Sequence, residues 1–325
     1  MRTWQRNGIL IVALLAFGAA RMPYEAGVAK DLRAANLIPV KLQIGTMDKI
    51  GQTSSAVALG GLRTLVATFM NLRAFGFFEE KKWNDVADTY DMIVDLAPRT
   101  GYYWDAGFSH SAYNAASYYI NDSELPPLRR KQAWRASIIR GREFLEKGIR
   151  NNPDNWTLWA SLGFLLTDSN KFKAFPDSNK TFTEAAEAYR RAGETGKALD
   201  YVKRSEFYAL ARVTGREKDA LALGRALYAN PRNRTPTLQT LLFVLEAWEN
   251  PAMDKVKRAD EIFGSPEKAY EALSAHWQRT RERFPVYGVA DTIQALEKLL
   301  TITADKSILN QPLPSQNGPD DWFSK

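Results

Sequence analysis

The sequence predicts an all-α protein, a row of antiparallel helix pairs preceded by an apolar N-terminal segment. Three observations predict it. From Ala56 almost to the end, apolar residues recur at helical spacing, and no stretch alternates with period two between turn signals. Several of these helices carry a small–large–small spacing, some closed by proline. The 325 residues are 45% hydrophobic, 25% charged and 12% aromatic, the balance of a folded chain and not of a disordered one.

The first element is residues 1–23. Arg2 and Arg6 precede an apolar run from Gly8 to Ala20, and Arg21 ends it. A cleaved signal peptide fits the charged start, the short apolar stretch and the small residues Gly18 and Ala20. An uncleaved anchor is the second reading. The run is short for a hydrocarbon core of about 30 Å, but Arg6 and Arg21 can snorkel outward and close part of the gap. Composition alone slightly favours the signal peptide. The anchor is carried forward as the expectation, and both readings send the chain across a membrane. Residues 24–55 follow as a helix, Tyr24 to Leu37, and a linker holding Pro39, Gly45, Gly51 and Thr53-Ser54-Ser55. Residues 56–302 form the helical domain. Residues 303–325 are a polar tail with Pro312, Pro314 and Pro319, expected to be disordered or loosely docked.

Within the helical domain, Trp159-x-x-Leu162-Gly163-x-x-Leu166 has the spacing of the first helix of a tetratricopeptide repeat, with Leu in place of the usual final Tyr. Gly141-x-x-x-Leu145-x-x-Gly148 followed by Pro153 has the spacing of a second repeat helix. Ala185-x-x-x-Tyr189-x-x-Ala192 repeats it without the closing proline. Trp83 to Pro98, with Tyr90 in the large position, is a further candidate, and Trp104 opens the next helix. Tyr208 to Pro231 is a looser match with Gly215 in its turn. Small residues let two helices approach, the large residue fills the groove between them, and proline cannot continue the helix. Each pair buries little alone, so pairs stack into an α-solenoid. The period is irregular: Asn121–Arg130, with Pro126-Pro127, and Asp168–Asn179, with Pro176, read as insertions.

Leu59-Gly60-Gly61-Leu62-Arg63-Thr64-Leu65, then Asn71-Leu72-Arg73-Ala74 and Ala112-Tyr113-Asn114, resemble a group of bacterial membrane-anchored tetratricopeptide-repeat proteins. That group carries a Gly-Gly-Phe-Arg-Gly-Leu helix, a Trp-Leu-Arg-Ala segment and an aromatic-rich Ala-Tyr-Asn stretch. Leu62, Thr64 and Asn71 depart from its pattern. The resemblance covers residues 56–230 and implies an anchored helical-repeat protein, with no activity attached.

Little in the chain points to catalysis, and no catalytic residue, metal ligand or cofactor is assigned. There is no cysteine, which excludes disulfides, thiolate metal sites and cysteine nucleophiles. The two histidines, His110 and His276, are far apart, so a helical two-histidine zinc motif is absent. Gly107-Phe108-Ser109-His110-Ser111 lacks the closing glycine of a nucleophile elbow and has no preceding strand. Gly193-Glu194-Thr195-Gly196-Lys197 lacks phosphate-loop spacing. Asp85, Asp88, Asp91 and Asp95 share a helix at near-helical spacing, which a solvated face explains more simply than paired catalytic carboxylates.

Two clusters read as binding surface. Tyr102, Tyr103, Trp104, Tyr113, Tyr118 and Tyr119 crowd one helical stretch in excess of what one buried face needs. Exposed Tyr supplies contact area at low entropy cost. Register from Trp104 makes Asp105, Ser109 and Tyr113 face the groove at successive turns, and Tyr102, Asp105, Ser109, Tyr113 and Tyr118 are the expected partner-binding residues. The second cluster is a basic run that includes Arg129, Arg130, Lys131, Arg135 and Arg142. A solvated helix face accounts for it, and contact with anionic lipid or an acidic partner is the functional reading. Net charge is +7, which favours anionic partners without choosing among them; nucleic acid is set aside because the N-terminus argues against a cytoplasmic site. The sequence thus points to a non-enzymatic scaffold or assembly subunit. It is expected on the periplasmic side of a bacterial inner membrane, single-pass, with other proteins as partners and no cofactor. A helical-solenoid enzyme acting on cell-wall glycan is the alternative.

Overall fold

The computed structural model describes residues 63–122 and 124–312, and among them every regular element is helical. The expectations for residues 8–20 and for the linker before Ser55 lie outside the described residues. The chain divides into two compact units, Met1–Tyr103 and Trp104–Lys325.

In the first unit, α1 (Arg63–Glu79) packs on α2 (Trp83–Leu96). The turn between them places Lys81 at φ 58°, a left-handed conformation unusual for a side-chain-bearing residue. Ala67 and Ala74 are the residues of α1 that bury fully, while α2 buries Val86, Tyr90, Ile93 and Val94 at helical spacing. Tyr90, the expected large residue, is 3% exposed and donates its hydroxyl to Asn71 Oδ1 at 2.9 Å. The opposite side of α1 leaves Leu65, Phe69, Leu72 and Phe75 more than half exposed.

In the second unit, most of α3 (Gly101–Ser109) runs through a π-helical turn (His110–Ala115) into α4 (Ala116–Asn121). The proline pair read as part of an insertion instead opens a helix: α5 (Pro127–Asn151) begins at Pro127. A first-turn proline gives up an N–H that has no intrahelical acceptor anyway, so the connection shrinks to a few residues around Asp122. α6 (Trp156–Thr167) starts where the Asn155 side chain accepts from Thr157 N at 3.1 Å. The second expected insertion holds a 3-10 turn, Phe172–Ala174, and ends at α7 (Ser178–Glu194), capped by Asp177, which accepts from Lys180 N at 2.9 Å. Then come α8 (Asp200–Leu210), α9 (Glu217–Tyr228), α10 (Pro236–Glu249), α11 (Lys255–Phe263), α12 (Pro266–Arg279) and α13 (Val289–Leu299).

From α4 to α13 successive helices pack on one another, and α6 also touches α8, as α8 touches α10. Close approaches fall where the small–large spacing placed them. A Cβ on Gly163 would stand 2.8 Å from the Tyr189 ring, and one on Gly148 would stand 2.9 Å from the Trp104 ring. One on Gly141 would meet Ala112 Cβ at 2.7 Å and its backbone N at 2.9 Å. Leu162 and Gly163 are buried, but Trp159 is only half-buried: its indole N–H donates to Pro153 O at 2.8 Å, tying the ring to the turn before the helix.

α10 is largely apolar and buried from Thr240 to Ala247, with Leu238 buried before the half-buried Gln239. Phe243 and Val244 join Ile262, Leu273, Ile293 and Leu296 in one core shared with α11, α12 and α13. Past Thr303, two 3-10 turns (Ala304–Lys306 and Ile308–Asn310) lie against this core. Ile308 N donates to Glu297 Oε1 at 3.1 Å, and Gln278 Nε2 donates to Ile308 O at 3.1 Å.

Candidate partner-binding groove

A groove of about 410 Å³ opens between α6 and α8, with α7 as its floor. α6 presents Trp156, Thr157, Ala160, Ser161 and Phe164, one face of the helix at successive turns. α8 presents Tyr201 and Ser205, and Tyr189 closes the bottom. Phe164 is 57% exposed and Tyr201 44%, so two rings stand open to solvent across the groove. The Trp156 and Tyr201 rings meet edge-on with centroids 6.5 Å apart. The lining is aromatic faces and hydroxyls, without an ionised side chain.

Two of the expected binding residues adjoin this groove from α3 and the π turn. Asp105 Oδ1 accepts from Ser161 Oγ at 3.1 Å, and the Tyr113 ring stacks on Phe164 at 6.3 Å. The Tyr113 ring is also packed edge-on against Phe108, 5.6 Å between centroids, with Lys171 Nζ 5.5 Å from its centre. Its hydroxyl is buried, and burial first, then the charge of Asp168, pushes the phenol up from its ordinary range. Tyr113 therefore supports the groove wall through its ring. Ser109, between them, is half-buried.

The other two expected residues lie elsewhere. Tyr102, 65% exposed, belongs to the first unit, its ring edge-on to Tyr103 at 5.5 Å. Tyr118, half-buried, pairs edge-on with Tyr119 at 5.4 Å.

The basic run is partly consumed by the fold. Arg142 bridges Glu146 at 2.8 Å and Glu184 at 2.7 Å, joining α5 to α7. Arg135 Nε donates to Ala174 O at 2.8 Å, and Arg130 Nη1 donates to Ile120 O at 3.3 Å. Arg129 and Lys131 are exposed on the first turns of α5.

Sequence reasoning missed Phe164, Trp156, Tyr201 and Ser205. The signal for Phe164 was present: the register argument that placed Asp105 one residue after Trp104 places Ala160 and Phe164 on the groove side of α6 when started from Trp159. Tyr201 and Ser205 had no comparable anchor, because α8 lacks the Trp-x-x-Leu-Gly spacing. Among the described residues no cluster of His, Asp and Glu has the geometry of a metal site. No family model matches the chain, and no curated protein is significantly similar to it in sequence.

Proposed function

We propose that the protein is a helical-repeat scaffold that holds a segment of another protein in the groove between α6 and α8. The single observation that carries this reading is the groove itself: two open aromatic rings, Phe164 and Tyr201, flanked by hydroxyls and set on rigid helices. Aromatic anchors on a preorganised wall supply contact area at low ordering cost, which is what capture of an extended or helical peptide requires. The pairing of Gly163 with Tyr189 and of Gly148 with Trp104 supports a tetratricopeptide-like stacking of helix pairs, in which first helices such as α6 and α8 line one side.

The test is site-specific photo-crosslinking in cells with benzoylphenylalanine at position 164, and at exposed Glu143 as control. A discrete adduct at 164 and none at 143 is the expected result. Equal labelling at both positions, or none at 164, overturns the groove as a partner site.

We further propose that residues 8–20 tether the chain to a bacterial inner membrane with the helical domain outside the cytoplasm, where the exposed Arg129 can meet anionic headgroups. The apolar run bounded by Arg6 and Arg21 supports the tether. Sequencing the mature N-terminus checks it: a start near Arg21 leaves a cleaved signal peptide and removes the anchor.

A further inference from the structure

The polar hydrogens that line the groove between α6 and α8 are not all free. Thr157 Oγ1 donates to Asn155 Oδ1 at 2.6 Å, and Ser161 Oγ donates to Asp105 Oδ1 at 3.1 Å. The Ser205 hydroxyl pairs with the Tyr189 phenol at the floor. Two lining groups are left over. Among the described residues neither the Trp156 indole N–H nor the Tyr201 hydroxyl has a hydrogen-bond partner, and the indole N–H is not buried. Both belong to one aromatic corner, where the two rings meet edge-on. Phe164 stands eight positions after Trp156 on α6, about 12 Å along the axis. Between these rings the wall drops to the methyl of Ala160.

The free donors choose among the segments that could lie there. An α-helix has its carbonyls engaged along its length and leaves both donors unanswered. An extended strand of ordinary residues offers carbonyls but also N–H groups, and the lining has no carboxylate or amide side chain to accept them. A polyproline II segment offers carbonyls that no internal hydrogen bond uses, and its prolines bring no N–H. It rises about 3.1 Å per residue, so about four residues cover the interval from the Trp156–Tyr201 corner to Phe164. Its conformation exists before binding, so little ordering is needed. A sugar ring would also lie on these faces, but its hydroxyls are donors for which the same acceptors are lacking.

We propose that the groove captures an uncharged, proline-rich segment in the polyproline II conformation. One proline packs in the Trp156–Tyr201 corner, where a neighbouring carbonyl accepts from the indole N–H, and a second packs on Phe164. The lack of ionised side chains in the lining matches an uncharged segment. This inference rests on the scaffold reading above and narrows its partner to one chemistry.

The experiment is calorimetric titration of the full chain, in detergent, with capped octaproline, a capped Gly-Ser octapeptide and cellohexaose. Saturable binding of octaproline is expected, with no response to the other two. Phe164→Ser and Tyr201→Ser should each weaken it about tenfold. The melting temperature should not change, because both rings are exposed. Trp156→Phe keeps a ring and loses the donor, and should weaken binding roughly threefold or more. Tyr201→Phe makes the same separation at an exposed position if that variant does not fold. The proposal is overturned if octaproline does not bind, if the Gly-Ser peptide binds equally, if the hexasaccharide binds more tightly, or if affinity survives loss of the rings or of the donor. An adduct at position 164 in cells with no octaproline binding overturns the proline chemistry alone and leaves the scaffold reading standing. Octaproline binding with no adduct at 164 supports the groove chemistry and overturns the scaffold reading.

Discussion

At the scale of single residues, glycines decide how closely these helices approach, and the identity of the atom each one faces decides what a substitution costs. A methyl on Gly141 meets the Cβ and backbone N of Ala112, which move only if a helix moves. A methyl on Gly163 meets the far side of the Tyr189 ring, which can tilt. Gly141→Ala should therefore lower the urea midpoint more than Gly163→Ala, although both lie at small positions. Gly163→Leu exceeds what the ring can yield and should cost roughly 1–3 kcal/mol by overpacking; an unchanged midpoint would remove Gly163 from the contact. Gly141, Gly148 and Gly163 were legible because their spacing to Leu145 or Leu162 is a pattern. The two open rings of the groove were less so, because exposure is a property of the neighbours a residue lacks.

At the scale of elements, α10 is buried on every face and still carries a carboxylate, Glu246, whose side chain is 10% exposed. Arg258 from α11 reaches it at 2.7 and 3.1 Å, and Arg225 from α9 at 3.5 Å. Three consecutive packing partners are thus joined through one side chain. The two ends of this bridge are unequal. Arg258 also bonds Glu261 at 2.9 Å and can turn to solvent, whereas Glu246 has no such exit. Arg258→Ala should therefore cost more than Glu246→Gln, the former toward about 3 kcal/mol for a buried charge left with a weak partner. Equal melting temperatures for the two variants would count against this asymmetry. α10 to α13 carry no small–large pattern and were read only as helical periodicity, whereas the helices that hold Tyr90, Gly141, Gly163 and Tyr189 were readable from that spacing. The π turn at His110–Ala115 was not, since no residue in it signals a widened turn, and the opening of α5 was misread because a proline pair marks a loop and a helix start alike.

At the scale of the whole molecule, both histidines are held neutral. Burial lowers His110, and burial lowers His276, opposed in part by its bond to Pro285. Because a carbonyl only accepts, the proton of neutral His276 sits on Nε2, and Nδ1 lies 2.8 Å from Thr280 Oγ1, whose one proton is shared with His276 O at 3.0 Å. An imidazole lowered by folding binds its proton more readily when unfolded. Stability is then full above the unfolded value of 6.5 and declines as pH falls below it. The urea midpoint should drop between pH 7.5 and 5.5, and His276→Gln should flatten part of that slope. A midpoint constant over this range would mean that neither histidine is held neutral by the fold. All-helical architecture was plain from the chain, whereas the division at Tyr103–Trp104 was not, because it falls inside a helix whose own periodicity does not pause there.

The apolar side of α1 has a consequence for the protein as a solute. Leu65, Phe69, Leu72 and Phe75 recur at helical spacing along nearly three turns and stand 52–64% exposed. A patch of that kind is a short-range attraction, whereas the net charge of +7 is a long-range repulsion that salt screens. Raising ionic strength therefore tips the pair potential between molecules toward attraction. In light scattering the osmotic second virial coefficient should fall through zero as salt is added, and Leu72→Lys, which breaks the stripe at its middle, should hold it positive to higher salt.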